Sequence, residues 1–144
     1  MNTPVDWLLR VNDGVNLERS IPYKRWGIFE QSSSNTKKFV ENVKNGDRLW
    51  FITNKSNGKI VGVATFESQN KRNENTPSDE ELGWVQNPKT PWLADTEIHY
   101  TNFYECKYYD YLTHIKGNCG IRKYNEKCRI ELPVIYNTIC MLLD

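Results

Sequence analysis

Two apolar, β-prone runs flank a short turn in the middle of the chain, and this pattern constrains the fold more than any other feature. Arg48-Leu49-Trp50-Phe51-Ile52-Thr53 reads as a buried strand. Asn54-Lys55-Ser56-Asn57-Gly58 is turn chemistry ending in Asn-Gly, and Lys59-Ile60-Val61-Gly62-Val63-Ala64-Thr65-Phe66 returns. The pattern predicts an antiparallel hairpin over 48–66. Gly62, inside the returning strand, marks a bulge or a close backbone approach.

Residues 5–11 predict a first strand and Asn12-Asp13-Gly14 a turn. A short helix over 15–20 stops at Ile21-Pro22, because the residue before proline avoids the helical region. Residues 23–27 then read as a loop. Ser34 or Asn35 can cap a helix running to about Asn45, with Phe39, Val40 and Val43 on its apolar face and Gly46 as its left-handed C-terminal cap. Residues 67–81 are polar without an apolar period and predict a long mobile loop. Leu82-Gly83-Trp84-Val85 resumes apolar character, 87–91 breaks it, and 95–104 reads as another strand. A helical turn over 108–115, a break over 117–120 and a last helix from Pro133 to about Leu142 complete the expectation.

The 144 residues suit one domain spanning 1–144. Five or six strands without regularly alternating helices disfavour a doubly wound parallel sheet. The expected class is α+β: a curved, mostly antiparallel β-barrel flanked by short α-helices.

Nineteen basic and 18 acidic residues leave a net charge of +1, so an electropositive surface must arise from placement rather than total charge. Cys106, Cys119, Cys128 and Cys140 form no CxxC pair and no zinc spacing. The expectation is a reduced intracellular protein, cytoplasmic or nuclear, with no metal and no cofactor. No signal peptide or transmembrane run is evident, so no membrane partner is expected. The sequence leaves the oligomeric state open.

Five tryptophans and eight tyrosines are many for so polar a chain. Trp7 and Trp50 lie in apolar strands and read as core. Trp26, Trp84 and Trp92 lie in segments that read as loops, where a bulky aromatic needs a reason.

These residues form an ordered pattern: Arg10-Val11-Asn12 ending strand one, Trp26-Gly27, a helix ending Val43-Lys44-Asn45-Gly46-Asp47, then Leu49-Trp50-Phe51-Ile52, Gly58-Lys59-Ile60-Val61-Gly62, Leu82-Gly83-Trp84 and Leu132-Pro133-Val134-Ile135-Tyr136. The order resembles the EVE domain, a member of the PUA-like superfamily and kin of the YTH readers of N6-methyladenine RNA. The resemblance implies a curved barrel with a pocket for one nucleobase, often modified, in RNA or DNA. By position, Trp26 and Trp84 match the two cage tryptophans, Asn12 a residue reading the base edge, and Asn16 a neighbouring Asn. Gly27 stands where YTH readers commonly carry Ser or Thr. Trp92 is an alternative second wall. Arg10 sits where YTH readers carry a basic residue near the phosphate.

Two indoles on opposite sides of a slot would stack a flat base, stacking being worth roughly 1–3 kcal/mol per base. Amide side chains would read its edge. Arg10, Lys24, Arg25, Lys37 and Lys38 cluster early in the sequence and would form a basic rim for phosphates. Against this stand plain readings: Trp26 as a core plug, Asn12 and Asn16 as turn residues, and the basic groups as solvated charge. Asp95, Glu97 and His99 alternate, so they share one sheet face and read as solvent-exposed more than metal-binding. PUA-like relatives also include ASCH domains, some of them hydrolases, which keeps a modified-nucleoside hydrolase using Glu97 or His99 as an alternative. A protein-interaction module using the same aromatics is another.

Overall fold

The structure, a computed structural model, describes residues 3–53, 60–86, 88–89, 93–105, 121–123 and 136. Among these, six strands form one sheet: β1 (Asp6–Arg10), β2 (Arg25–Ile28), β3 (Arg48–Ile52), β4 (Ile60–Lys71), β5 (Thr96–Glu105) and β6 (Ile121–Lys123), in the order β2-β5-β4-β3-β1-β6. Only β1 and β3 pair in parallel; the other neighbours are antiparallel. The sheet curls into a half-barrel. Two short helices, α1 (Val15–Ser20) and α2 (Ser34–Asn42), accompany it, so the α+β class and a curved, mainly antiparallel sheet are as expected, with a half-barrel in place of the expected barrel.

Strand alternation builds the core. Trp7 and Leu9 of β1, Leu49 and Phe51 of β3, Ala64 and Phe66 of β4, and Ile98 and Tyr100 of β5 point to one side, where Leu17 of α1 and Phe39 of α2 join them. Trp7 meets Phe39 edge-on at 5.1 Å. Tyr100, whose phase the sequence left open, is buried beside Phe51 and Phe103, and burial pushes its hydroxyl pKa up. Trp7 and Trp50 are core, as read from the sequence. Their indole N–H groups donate to buried carboxylates, Trp7 to Asp47 at 3.1 Å and Trp50 to Asp6 at 2.8 Å, so neither ring costs an unmade hydrogen bond.

The β3–β4 hairpin forms in antiparallel register with an irregularity at Phe51/Ile52; its turn lies outside the described residues. Gly62 marks a close approach: a Cβ there would sit 2.5 Å from the Phe103 ring and 2.7 Å from the Tyr104 carbonyl.

Several boundaries differ from expectation. Residues 25–27, read as the end of a loop, form strand β2 together with Ile28, paired with β5. The first helix, by contrast, ends at Ser20, before Ile21-Pro22, as expected, and the chain goes on as a 3-10 turn, Ile21–Tyr23, with proline in its first turn. Ser33, not Ser34 or Asn35, caps α2; its hydroxyl accepts from the Thr36 N–H at 3.1 Å. That helix ends at Asn42, and Gly46, at φ +97°, shapes the following turn rather than the helix end. Its N–H donates to the Phe66 carbonyl at 2.9 Å.

The expected mobile loop over 67–81 is corrected most. Residues 67–71 extend β4 and pair with β5, Asn70 opposite Glu97 and Lys71 opposite Thr96. The chain beyond is organised by Arg72, whose guanidinium donates to the Ala94 and Pro77 carbonyls and pairs with Asp79 at 2.7 Å. The Asp79 carbonyl accepts the Trp84 N–H at 2.8 Å. The elements expected at 108–115, 117–120 and 133–142 lie outside the described residues except Tyr136, which is helical and packs edge-on against Trp50 at 6.5 Å. The four cysteines and His114 also lie outside them.

Candidate functional site: a pocket at the seam of the half-barrel

Strands β2 and β6 are the two edges of the sheet, and curling brings them toward each other. A cavity of about 220 Å3 lies between them. Trp26, Gly27 and Ile28 of β2 form one wall; Leu9 and Arg10 of β1 and Ile121 of β6 form the other. Phe29, Ser32, Thr36 and Leu93 complete the lining. The volume falls below the roughly 300–1,000 Å3 of pockets for drug-sized ligands, so it suits one small ring system. Its walls are mainly aliphatic and aromatic, and among the described residues Arg10 is the one charged group that lines it. Partial burial lowers the Arg10 pKa because desolvation disfavours the cation.

Trp26 is only 4% exposed and belongs to the hydrophobic core, presenting part of its surface to the cavity. Trp84 is equally buried, at 3%. The two indoles meet edge to face, with centroids 5.9 Å apart and planes 79° apart. Stacking a base between them requires near-parallel walls about 7–8 Å apart, twice an aromatic contact. The two-indole slot expected from the sequence is therefore not formed. Trp84 instead covers the outer side of Gly27, where a Cβ would lie 3.0 Å from its ring and 2.8 Å from the Ala94 Cβ. The Arg72 guanidinium stacks on the same indole at 5.4 Å. Trp92 lies outside the described residues.

Asn12 and Asn16 do not line the cavity. Asn12 is an exposed turn residue at φ +54°, a left-handed conformation that Asn tolerates. Both ends of the Asn16 carboxamide bind the backbone of Val85, at 3.1 and 2.9 Å. Asn16 thus fixes the segment carrying Trp84 rather than reading a base from this position.

The basic residues separate. Arg10 enters the cavity, whereas Lys24 is exposed at φ +56° after the 3-10 turn. Arg25 pairs with Glu97 at 3.5 Å. Lys37 and Lys38 are exposed on α2, and only Lys38 borders a neighbouring groove. The expected early cluster is thus spread over different surfaces.

Glu97 corrects the exposed reading of the Asp95-Glu97-His99 alternation: its side chain is 1% exposed. Arg25 at 3.5 Å, Arg72 at 3.9 Å and His99 at 3.5 Å surround its carboxylate. His99 also contacts the Asn70 carboxamide oxygen. Desolvation and then the Arg25 charge lower the His99 pKa, against the raising effect of Glu97 and Glu67. Ile98 and Tyr100 face the core, so Glu97 and His99 face the other side of β5. Among the described residues no three His, Cys, Asp or Glu side chains converge on a possible metal position.

The pocket residues missed in the sequence are Leu9, Ile28, Phe29, Ser32, Thr36, Leu93 and Ile121. They carry no individual signal, because only curling of the sheet brings the β2 and β6 edges together.

Among the described residues the fold and site define a class: an α+β half-barrel with a small, largely apolar pocket between its β2 and β6 edges and an arginine in the pocket wall. The sequence matches no protein-family model and no curated protein. Among the described residues no helix is long and apolar enough to cross a membrane.

Proposed function

We propose that the chain is a nucleic-acid reader of the PUA-like, EVE-domain kind that takes one unpaired, modified base into the seam pocket. The observation that carries this reading is the lining of that pocket: an indole and aliphatic walls around a guanidinium, in a volume of about 220 Å3. A base removed from its stack needs apolar or aromatic contact for its faces and hydrogen bonds for its edge. Trp26, Leu9, Ile28 and Ile121 supply the first. Arg10 supplies donors to acceptor atoms on the base edge, such as a ring nitrogen or a carbonyl. A methyl group on adenine or cytosine adds apolar contact with these walls. The recognition set therefore shifts from the Trp26–Trp84 sandwich to Trp26 and Arg10, with Trp84 supporting from behind Gly27.

The test is a tryptophan-fluorescence titration with short single strands of RNA and DNA. Each strand is unmodified or carries N6-methyladenine, 5-methylcytosine or 5-hydroxymethylcytosine. A response to one modified strand, much weaker for its unmodified twin and lost in Arg10→Gln, is the expected result. No response to any strand at low salt would remove the reading.

A further inference from the structure

A second, larger depression of about 680 Å3 lies beside the seam pocket, and its lining has a different chemistry. Lys38 and Asn42 of α2, Lys44 in the turn before β3, and Lys123 of β6 stand around it, with Trp7 in its wall. Among the described residues three lysines border it, and Asp47 is the only acid. The Asp47 carboxylate is buried and already accepts three N–H groups, from Val5 at 3.0 Å, Trp7 Nε1 at 3.1 Å and Lys44 at 3.0 Å. Among the described residues none of the three lysines has a carboxylate within 4.0 Å, although Lys71, Arg25, Arg48 and Arg72 all do. The groove thus concentrates cationic charge that the net charge of +1 conceals.

The two depressions follow one ladder. Trp7 opposite Lys123 borders the groove; Leu9 opposite Ile121, two residues along, borders the pocket. Helix α2 contributes to both, Thr36 to the pocket and Lys38 to the groove. Two residues of strand span about 7 Å, roughly twice the 3.4 Å per nucleotide of a stacked strand. This suits neighbouring nucleotides once a base has left its stack.

We infer that the groove walled by Lys38, Lys44 and Lys123 holds the phosphodiester of nucleotides flanking the base in the seam pocket, an inference that rests on the reader reading above. The strand then leaves the pocket along α2 toward the start of β1. The path excludes Lys24 and Arg25.

The triple variant K38Q/K44Q/K123Q tests this with a modified oligonucleotide, the same strand with an abasic site at the modified position, and the free modified nucleoside. Each is titrated between 50 and 200 mM salt. Loss of three single-strand phosphate contacts flattens the salt dependence by about two log units per log unit of salt. The wild type then loses roughly 20-fold more affinity than the variant across that range. The expected result is this flattening for both strands, with nucleoside affinity unchanged and K24Q behaving as wild type. Oligonucleotide binding that needs Arg10 but keeps its affinity and salt slope in the triple variant overturns the groove and leaves the reader standing. Lysine-dependent binding of both strands with equal affinity keeps the groove as a phosphate site and overturns the reader. No binding of either strand at low salt overturns both.

Discussion

The Asn16 carboxamide binds the backbone of Val85 twice: Nδ2 donates to the carbonyl at 3.1 Å, and the Val85 N–H donates to Oδ1 at 2.9 Å. This pair joins α1 to a segment 69 residues away in sequence, next to Trp84. It gives a polar residue that looks like a base reader a structural task. Asn16→Ala removes both bonds, each worth about 0.5–1.5 kcal/mol net. The expected loss in urea denaturation is about 1–2 kcal/mol, with a red shift of tryptophan emission as Trp84 loosens. Reduced nucleoside affinity at unchanged stability would return Asn16 to the base.

Gly27 is small because Trp84 and Ala94 occupy the space a side chain would take, at 3.0 and 2.8 Å from where a Cβ would stand. Gly27→Ala must therefore push the indole or the Ala94 segment outward. Overpacking of this kind costs about 1–3 kcal/mol. A lower denaturation midpoint with an unchanged m-value is the expected signature. A midpoint at the wild-type value would mean that the Trp84 segment yields freely.

His99 and Arg25 both lie 3.5 Å from the Glu97 carboxylate, and the His99 pKa is lowered chiefly by desolvation and then by Arg25. The folded protein therefore binds the His99 proton less readily than the unfolded chain, where the value is about 6.5. The stability gained from neutral His99 is complete above that unfolded value. It is lost as pH falls through the lower folded value. His99→Gln should remove this part of the decline between pH 7.5 and 5.5, while the steeper acid loss from carboxylates remains. Parallel stability–pH curves for the two proteins over this window would show that the proton does not matter to folding.

The elements legible in the sequence were those whose apolar period is set locally. Arg48–Ile52 and residues 60–66 of β4 announce themselves as paired strands through β-branched and aromatic runs. Arg25–Ile28 does not, because a four-residue strand containing glycine carries a loop's composition. Its glycine answers to Trp84, 57 positions away, which no local window contains. The polar end of β4 is hidden for a related reason: Ser68, Gln69 and Asn70 are held by register with His99, Ile98 and Glu97, not by burying an apolar face. Trp26 was legible as a residue set apart from the other strand tryptophans, and it lines the pocket. Its partner was not, because an edge-to-face pair and a parallel slot have the same sequence. Leu9, Leu93 and Ile121 become pocket residues only once the sheet curls.

Leu93 offers the cleanest probe of the pocket, because it lines the cavity yet is 67% exposed. Trp26 is a poor probe: truncating so buried an aromatic costs about 3–5 kcal/mol, and any lost binding would be confounded with lost fold. At an exposed rim position a larger side chain changes stability by no more than about 0.5 kcal/mol. Leu93→Trp should therefore fill the mouth while leaving the melting temperature unchanged, and the modified nucleoside should no longer bind. Arg10→Gln complements it by leaving the mouth open and removing the guanidinium. The expected loss is about 1.5–3 kcal/mol, the worth of hydrogen bonds to a charged group, read as a 10- to 150-fold weaker Kd. If both variants bind the nucleoside as the wild type does, the base does not enter at the seam, and the β2–β6 cavity is only a gap left by an unclosed barrel.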